Sequence, residues 1–137
     1  MNVNSSSKKY HYSEHIAYSC QYHVIFCPKY RRKILNEGRD TRLKEIFLET
    51  AKEHNFDIVE MEIMPDHVHL LISCNPRYGI MQCVTDLKRD SSYIMIREFP
   101  EIRRRLPAMW TRSCFISTVG AVSLDVVKKY IEDQKGK

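Results

Sequence analysis

Apolar positions along the chain change period several times, and each change marks an element. Over residues 16–27, Tyr18, Cys20, Tyr22, Val24 and Phe26 alternate with Ser19, Gln21 and His23, the period of two expected of a strand. Over 40–55, Leu43, Ile46, Phe47, Thr50 and Ala51 recur at helical spacing, with Asp40 as the expected N-cap and Asn55 as the stop. Alternation returns over 56–64 and 67–74, and Pro65-Asp66 between them predicts a tight turn. Helical spacing resumes through Ile80, Cys83, Val84, Leu87, Ser91, Ile94 and Met95 as far as Phe99. A strand is expected over 114–119, closed by Gly120, and a last helix runs from an N-cap at Ser123 through Val126, Val127, Tyr130 and Ile131 to Gln134. The first six elements have the order of a ferredoxin-like split βαβ sandwich: an α+β fold whose antiparallel sheet carries its helices on one face, with a C-terminal helix added.

The chain has 137 residues, 43% of them apolar, enough for one core that folds without a disulfide or structural metal. Residues 1–14 are polar and read as a flexible arm, leaving 15–137 as a single domain. A net charge of +5 and a pI near 9.0 favour a polyanionic partner. No apolar run approaches the roughly 20 residues that span a bilayer, and the start lacks a secretory apolar core. A cytoplasmic protein without a membrane partner is the expectation. Cys20, Cys27, Cys74, Cys83 and Cys114 form no C-x-x-C pair, so they read as reduced thiols and supply no zinc site.

His67-Val68-His69 falls inside an expected strand, where alternate side chains share a face about 6.6 Å apart along the chain. Val68, Leu70, Ile72 and Cys74 then point to the core, and two imidazoles can converge on one ion. Asp66, just before the pair, is expected to face the other way as a turn residue. Tyr130 and Gln134, four apart on the last helix, project a phenol and an amide from one stripe. An ion held by the histidines and an oxygen ligand, with a phenol nearby, suits phosphoryl transfer; the cation and Lys128 or Lys129 would favour phenolate. Lys29, Arg31, Arg32 and Lys33 surround Tyr30 in a basic turn suited to phosphate contact and base stacking. Lys88, Arg89, Arg103, Arg104 and Arg105 are further candidates for DNA contact. Trp110 reads as core before a base platform, and His23 as a satisfied strand residue.

The stretches YHVIFCPKYRRKIL (Tyr22 to Leu35), MPDHVHLLI (Met64 to Ile72) and MWTRSCFISTVGAVSLDVVKKYIEDQ (Met109 to Gln134) resemble the transposases of the insertion-sequence 200/605 family. These are small enzymes with a histidine-hydrophobe-histidine motif and one catalytic tyrosine. The resemblance covers nearly all of the chain after the first ~14 residues. It implies that His67 and His69 bind magnesium or manganese and that Gln134 is the third protein ligand. It also implies that Tyr130 attacks a single-stranded DNA phosphate to give a 5′-phosphotyrosine and a free 3′-hydroxyl. Partners implied are DNA hairpins at the ends of an insertion sequence and a second copy of the chain in a homodimer. Ala121, Cys114 and Arg89 depart from the usual pattern, without removing a catalytic group. A noncatalytic hairpin-binding protein on the same scaffold, or a metallohydrolase using water as nucleophile, are the competing readings.

Overall fold

The computed structural model describes residues 11–13 and 16–120. Strands β1 (His11–Ser13) and β2 (Ile16–Tyr18) pair antiparallel as a separate two-stranded ribbon. A strand thus occupies 11–13, within the stretch expected to be an arm, and the single strand expected over 16–27 is divided. The division falls where the backbone changes partner: β2 turns back on β1, the carbonyl of Cys20 accepts the N–H of Cys74 at 3.1 Å, and β3 (Gln21–Phe26) enters the main sheet. Alternation continues through such a change because both sides remain extended.

The main sheet comprises β3, β4 (Asp57–Met64), β5 (His67–Ser73) and β6 (Phe115–Thr118) in the order β4-β5-β3-β6, every neighbouring pair antiparallel. Helix α1 (Arg39–Glu53) carries the chain from β3 to β4 past β5, and α2 (Ile80–Glu98) carries it from β5 to β6 past β3. That is the split βαβ topology the sequence leads one to expect. Leu43, Ile46, Phe47 and Ala51 of α1 and Cys83, Val84, Leu87 and Met95 of α2 are buried against Val24, Phe26, Ile58, Met61, Val68, Leu70 and Ile72 of the sheet. Each fully buried large side chain contributes about 1.5–3 kcal/mol. Both helices therefore lie on one face, and the alternate side chains of the strands form the other.

Three local differences have simple causes. Helix α1 is entered through Gly38, at φ 90°, so Asp40 falls in the first turn instead of capping it; its charge still complements the helix dipole there. Its end follows expectation: Asn55 takes φ 58°, and Phe56 N–H reaches the Ala51 carbonyl at 3.0 Å, closing a left-handed cap. A short helix α3 (Pro100–Arg105) follows α2 unannounced. Pro100 sits where its missing N–H costs nothing, while Ile102 and Leu106 enter the core and the three arginines stay outside. Trp110 is core, as read: its ring meets Phe26 edge-on at 4.8 Å and its Nε1 donates to Ser91 Oγ at 2.9 Å. All five cysteines are free. No helix among the described residues is long and apolar enough to cross a membrane. The expected helix from Ser123, with Lys128, Lys129, Tyr130 and Gln134, lies outside the described residues, as does Ala121.

Candidate active site

The β4–β5 hairpin turns at Pro65-Asp66, and the Pro65 carbonyl accepts the N–H of Leu35 at 3.0 Å, pinning the turn to the segment after the basic loop. From there the strand parity acts as expected. Val68, Leu70 and Ile72 are fully buried, which leaves His67 and His69 half-buried on the face away from the helices. Register sets their neighbours: Met64 lies opposite His67, and Glu62 and Ile25 flank His69 from β4 and β3. Phe115 stands beside Ile25 on β6, so the row Glu62, His69, Ile25, Phe115 crosses all four strands. A shallow recess of about 120 Å³ beside His69 is lined by Glu60, Met61, Glu62 and Leu71.

Hydrogen bonds fix how the imidazoles are presented. His67 Nδ1 donates to Asp66 Oδ1 at 2.9 Å, and Asp66 Oδ2 accepts from Arg31 Nη2 at 3.1 Å. The bond from His67, followed by the nearby Arg31 charge, holds the Asp66 carboxyl below its ordinary range. Asp66 was expected to face away, and the structure corrects this. Residue 66 belongs to the turn, where the alternation of the strand no longer dictates direction. With Nδ1 committed to a carboxylate, His67 offers Nε2 to an ion, the arrangement found around histidine-ligated metals. The second histidine has an imidazole for a partner: His23 Nδ1 and His69 Nε2 are 3.1 Å apart, with ring centroids at 5.2 Å.

This donor set fits a divalent cation. Two imidazoles suit manganese, cobalt or zinc, and magnesium would need oxygen ligands in addition. Among the described residues, the group whose three ligand atoms lie within 4.8 Å of one another is elsewhere: Glu53, His54 and Asp90, at the end of α1 and on α2. No sequence spacing announces that group, which only the packing of the two helices assembles. Asp90 already accepts from Thr50 Oγ1 and from Arg89 Nε, both at 3.0 Å, and His54 stands 3.8 Å from the buried carboxylate of Asp86. An ion-pair network accounts for it.

The basic candidates separate by environment. Lys29–Arg31 form a 3₁₀ turn in which Tyr30 and Arg31 both adopt left-handed backbone, φ 59° and 50°. Tyr30 is 64% exposed, with the Lys29 ammonium 5.4 Å from its ring centre. Arg32, Lys33 and Arg103, Arg104 and Arg105 are also exposed. Lys88 is not available in the same way. Its Nζ donates to the carbonyls of Thr111 and Ser113, both at 2.9 Å, above the Phe26 ring, and burial lowers its pKa. It tethers the segment leading into β6. Arg89 pairs with Asp86 at 3.1 Å and Asp90 at 3.0 Å.

Residues 16–134 match the family described as "Transposase IS200 like". The chain belongs to this family, whose members act in DNA transposition. It is 36% identical over 122 residues to the ISDra2 transposase TnpA of Deinococcus radiodurans, covering 88% of this chain and 87% of that one. It is 29% identical over 126 residues to the transposase for insertion sequence element IS200 of Salmonella typhimurium, covering 88% and 83%. Among solved structures, a candidate transposase from Deinococcus radiodurans superimposes with a TM-score of 0.73 at 30% identity, over 90% of this chain and 97% of that one. A tyrosine transposase bound to a REP hairpin shares the fold, with a TM-score of 0.58 at 12% identity over 90% and 67% of the two chains.

Proposed function

We propose that this transposase cleaves and rejoins single-stranded DNA at the ends of an insertion sequence, with Tyr130 as nucleophile and with His67, His69 and Gln134 holding magnesium or manganese. The observation that carries this reading is the carboxylate-oriented His67 beside His69 on one open face of the sheet. The ion, when bound, supplies positive charge to the scissile phosphate. Everything else falls to side chains of the chain. The Tyr130 phenolate attacks phosphorus, the bond to the 3′ oxygen breaks, and that oxygen leaves with a proton as a 3′-hydroxyl while the 5′-phosphate stays on the tyrosine. The phosphotyrosine is a diester like the bond it replaces, so a 3′-hydroxyl can reverse the step without ATP.

Arg31, Arg32 and Lys29 around the exposed Tyr30 are suited to backbone phosphates with a base stacked on the ring, and Arg103, Arg104 and Arg105 extend the basic surface. The fold shared with a hairpin-bound tyrosine transposase supports a hairpin as the DNA partner. Residues 15–137 act as one domain, in a homodimer located in the cytoplasm and on the nucleoid.

Labelled single-stranded ends of the element, incubated with the protein and Mg²⁺ or Mn²⁺, test the reading. A covalent protein–DNA adduct is expected, lost in Tyr130→Phe while hairpin binding persists. Cleavage that survives Tyr130→Phe would identify a metallohydrolase. Binding without cleavage by the unmutated protein would identify a noncatalytic hairpin-binding protein.

A further inference from the structure

We infer that Phe115 is the platform on which a base of the single strand stacks beside the scissile phosphate, an inference that rests on the function proposed above. Phe115 opens β6 and is 60% exposed. It pairs with Ile25 of β3, which pairs in turn with His69 of β5, so its ring stands on the histidine face in the same cross-strand row. Its neighbour Ile116 turns the other way, against the core. Two strand spacings, about 10 Å, separate Phe115 from His69, which puts the ring within reach of a base next to a phosphate held at the histidines.

Charge decides which way the strand leaves the histidines. Glu62 lies opposite His69 and Glu60 opposite Leu71, both exposed on β4, and their carboxylates repel a phosphate backbone on that side. His23, Ile25, Phe115 and Ser117, which β3 and β6 present to the same face, include no carboxylate. The cations gather where β3 leaves the sheet and β6 enters it. Thr111 N–H reaches the Cys27 carbonyl at 3.0 Å, tying the segment that holds the exposed Arg112 to the start of the Lys29–Arg31 turn. The backbone is thereby drawn over β3 toward β6, with Arg112 and the basic turn for its phosphates and Phe115 for a base. Lone apolar side chains are common on protein surfaces. An exposed ring on an edge strand, however, invites pairing with other chains, and Ser117 fills the next position on this face with a polar group. Stacking accounts for the ring: every base has a π-face, so such a platform holds a strand without reading its sequence.

Oligonucleotides carrying the element's end, with 2-aminopurine at each position flanking the cut in turn, test the assignment on the full-length protein. Adduct formation by the wild type first maps the cut; no adduct at all would sink the proposed function, and the inference with it. Binding is then measured in Tyr130→Phe, which leaves the strand whole. With Phe115 intact, 2-aminopurine fluorescence should be quenched at a position beside the cut, and an abasic site there should weaken binding about five- to hundredfold. Phe115→Leu keeps an apolar side chain but no π-face. It should abolish the quenching and weaken binding as much, with no further loss when combined with the abasic site. Phe115→Tyr should retain both the quenching and the affinity. If Phe115→Leu melts early, ultraviolet crosslinking of a strand with 5-iodouracil at the quenched position should attach to Phe115 itself, located by mass spectrometry. A folded Phe115→Leu protein with quenching retained and affinity within twofold of its parent would overturn the inference while leaving the proposed function standing, as would a crosslink that maps elsewhere. A Phe115→Leu protein that sediments as a monomer where its parent is a dimer, with strand affinity unchanged, would overturn it in favour of a contact between copies.

Discussion

Asp66 offers a direct measure of how far the turn before His67 prepares the site. Its carboxylate takes the Nδ1 proton of His67 at 2.9 Å and is itself held by Arg31 at 3.1 Å. Replacing Asp66 with Ala frees the imidazole to rotate and to exchange tautomers, so the nitrogen that would face the proposed ion is no longer fixed. Loss of such an outer partner typically weakens metal binding about 10–100-fold. Asp66→Asn keeps an oxygen able to accept from Nδ1 but removes the charge that roughly doubles the strength of the bond. It should fall between wild type and Asp66→Ala, at about tenfold. Arg31 is 70% exposed on its side chain, so water replaces much of what it gives Asp66. Arg31→Ala should therefore change affinity less than either Asp66 substitution. Calorimetric titration with Mn²⁺, alongside a thermal melt to establish folding, gives all four values. A folded Asp66→Ala protein that binds Mn²⁺ within twofold of wild type would refute the orienting role.

Other substitutions test the scaffold. Ser91→Ala leaves the buried Trp110 Nε1 without its acceptor and should cost about 1–3 kcal/mol, visible as a lower urea midpoint. Gly79 holds φ 91° and ψ 147°, and an added Cβ would meet nothing within 4 Å, so Gly79→Ala isolates backbone strain of about 1–3 kcal/mol. Burial by itself would raise the Asp86 carboxyl, but hydrogen bonds from Tyr78 and Gln82 and the charges of His54 and Arg89 outweigh it and hold the group below its ordinary value. Its stabilising contribution is therefore complete above the unfolded value near 3.9 and lost as pH falls through the lower folded value. Asp86→Asn should be less stable than wild type at pH 7, with the difference shrinking below about pH 4. A constant gap across that range would contradict the assignment.

The elements readable from sequence were those whose period persists over several turns or residues. The Val68, Leu70, Ile72 parity by itself places His67 and His69 on the open face, and the six-element order specifies the sheet. What could not be read depends on partners distant in sequence or on short segments. The divided strand at Ser19-Cys20 needs knowledge of which strand each half pairs with. Asp66 reaches His67 only because a turn breaks the alternation that would have sent it away. Lys88 looks like any surface lysine until the Thr111 and Ser113 carbonyls close around it. Helix α3 shows only Ile102 and Leu106 as apolar anchors among arginines, too few to register a period. His23 was read as a satisfied strand residue, and only the register between β3 and β5 reveals that its partner is His69.

The strand order has a dynamic consequence. The strands that carry His23, His67 and His69, β3 and β5, are interior, each flanked by neighbours on two sides, whereas β6 is an edge paired with β3 over four residue pairs. Amide hydrogens of His23 and His69 should exchange with solvent only when most of the domain opens, and those of β6 at a lower free energy. The imidazoles are thus held by the slowest-opening part of the molecule, and their mutual orientation is settled at folding, not at each encounter with DNA. Local opening begins instead at the short β6 ladder.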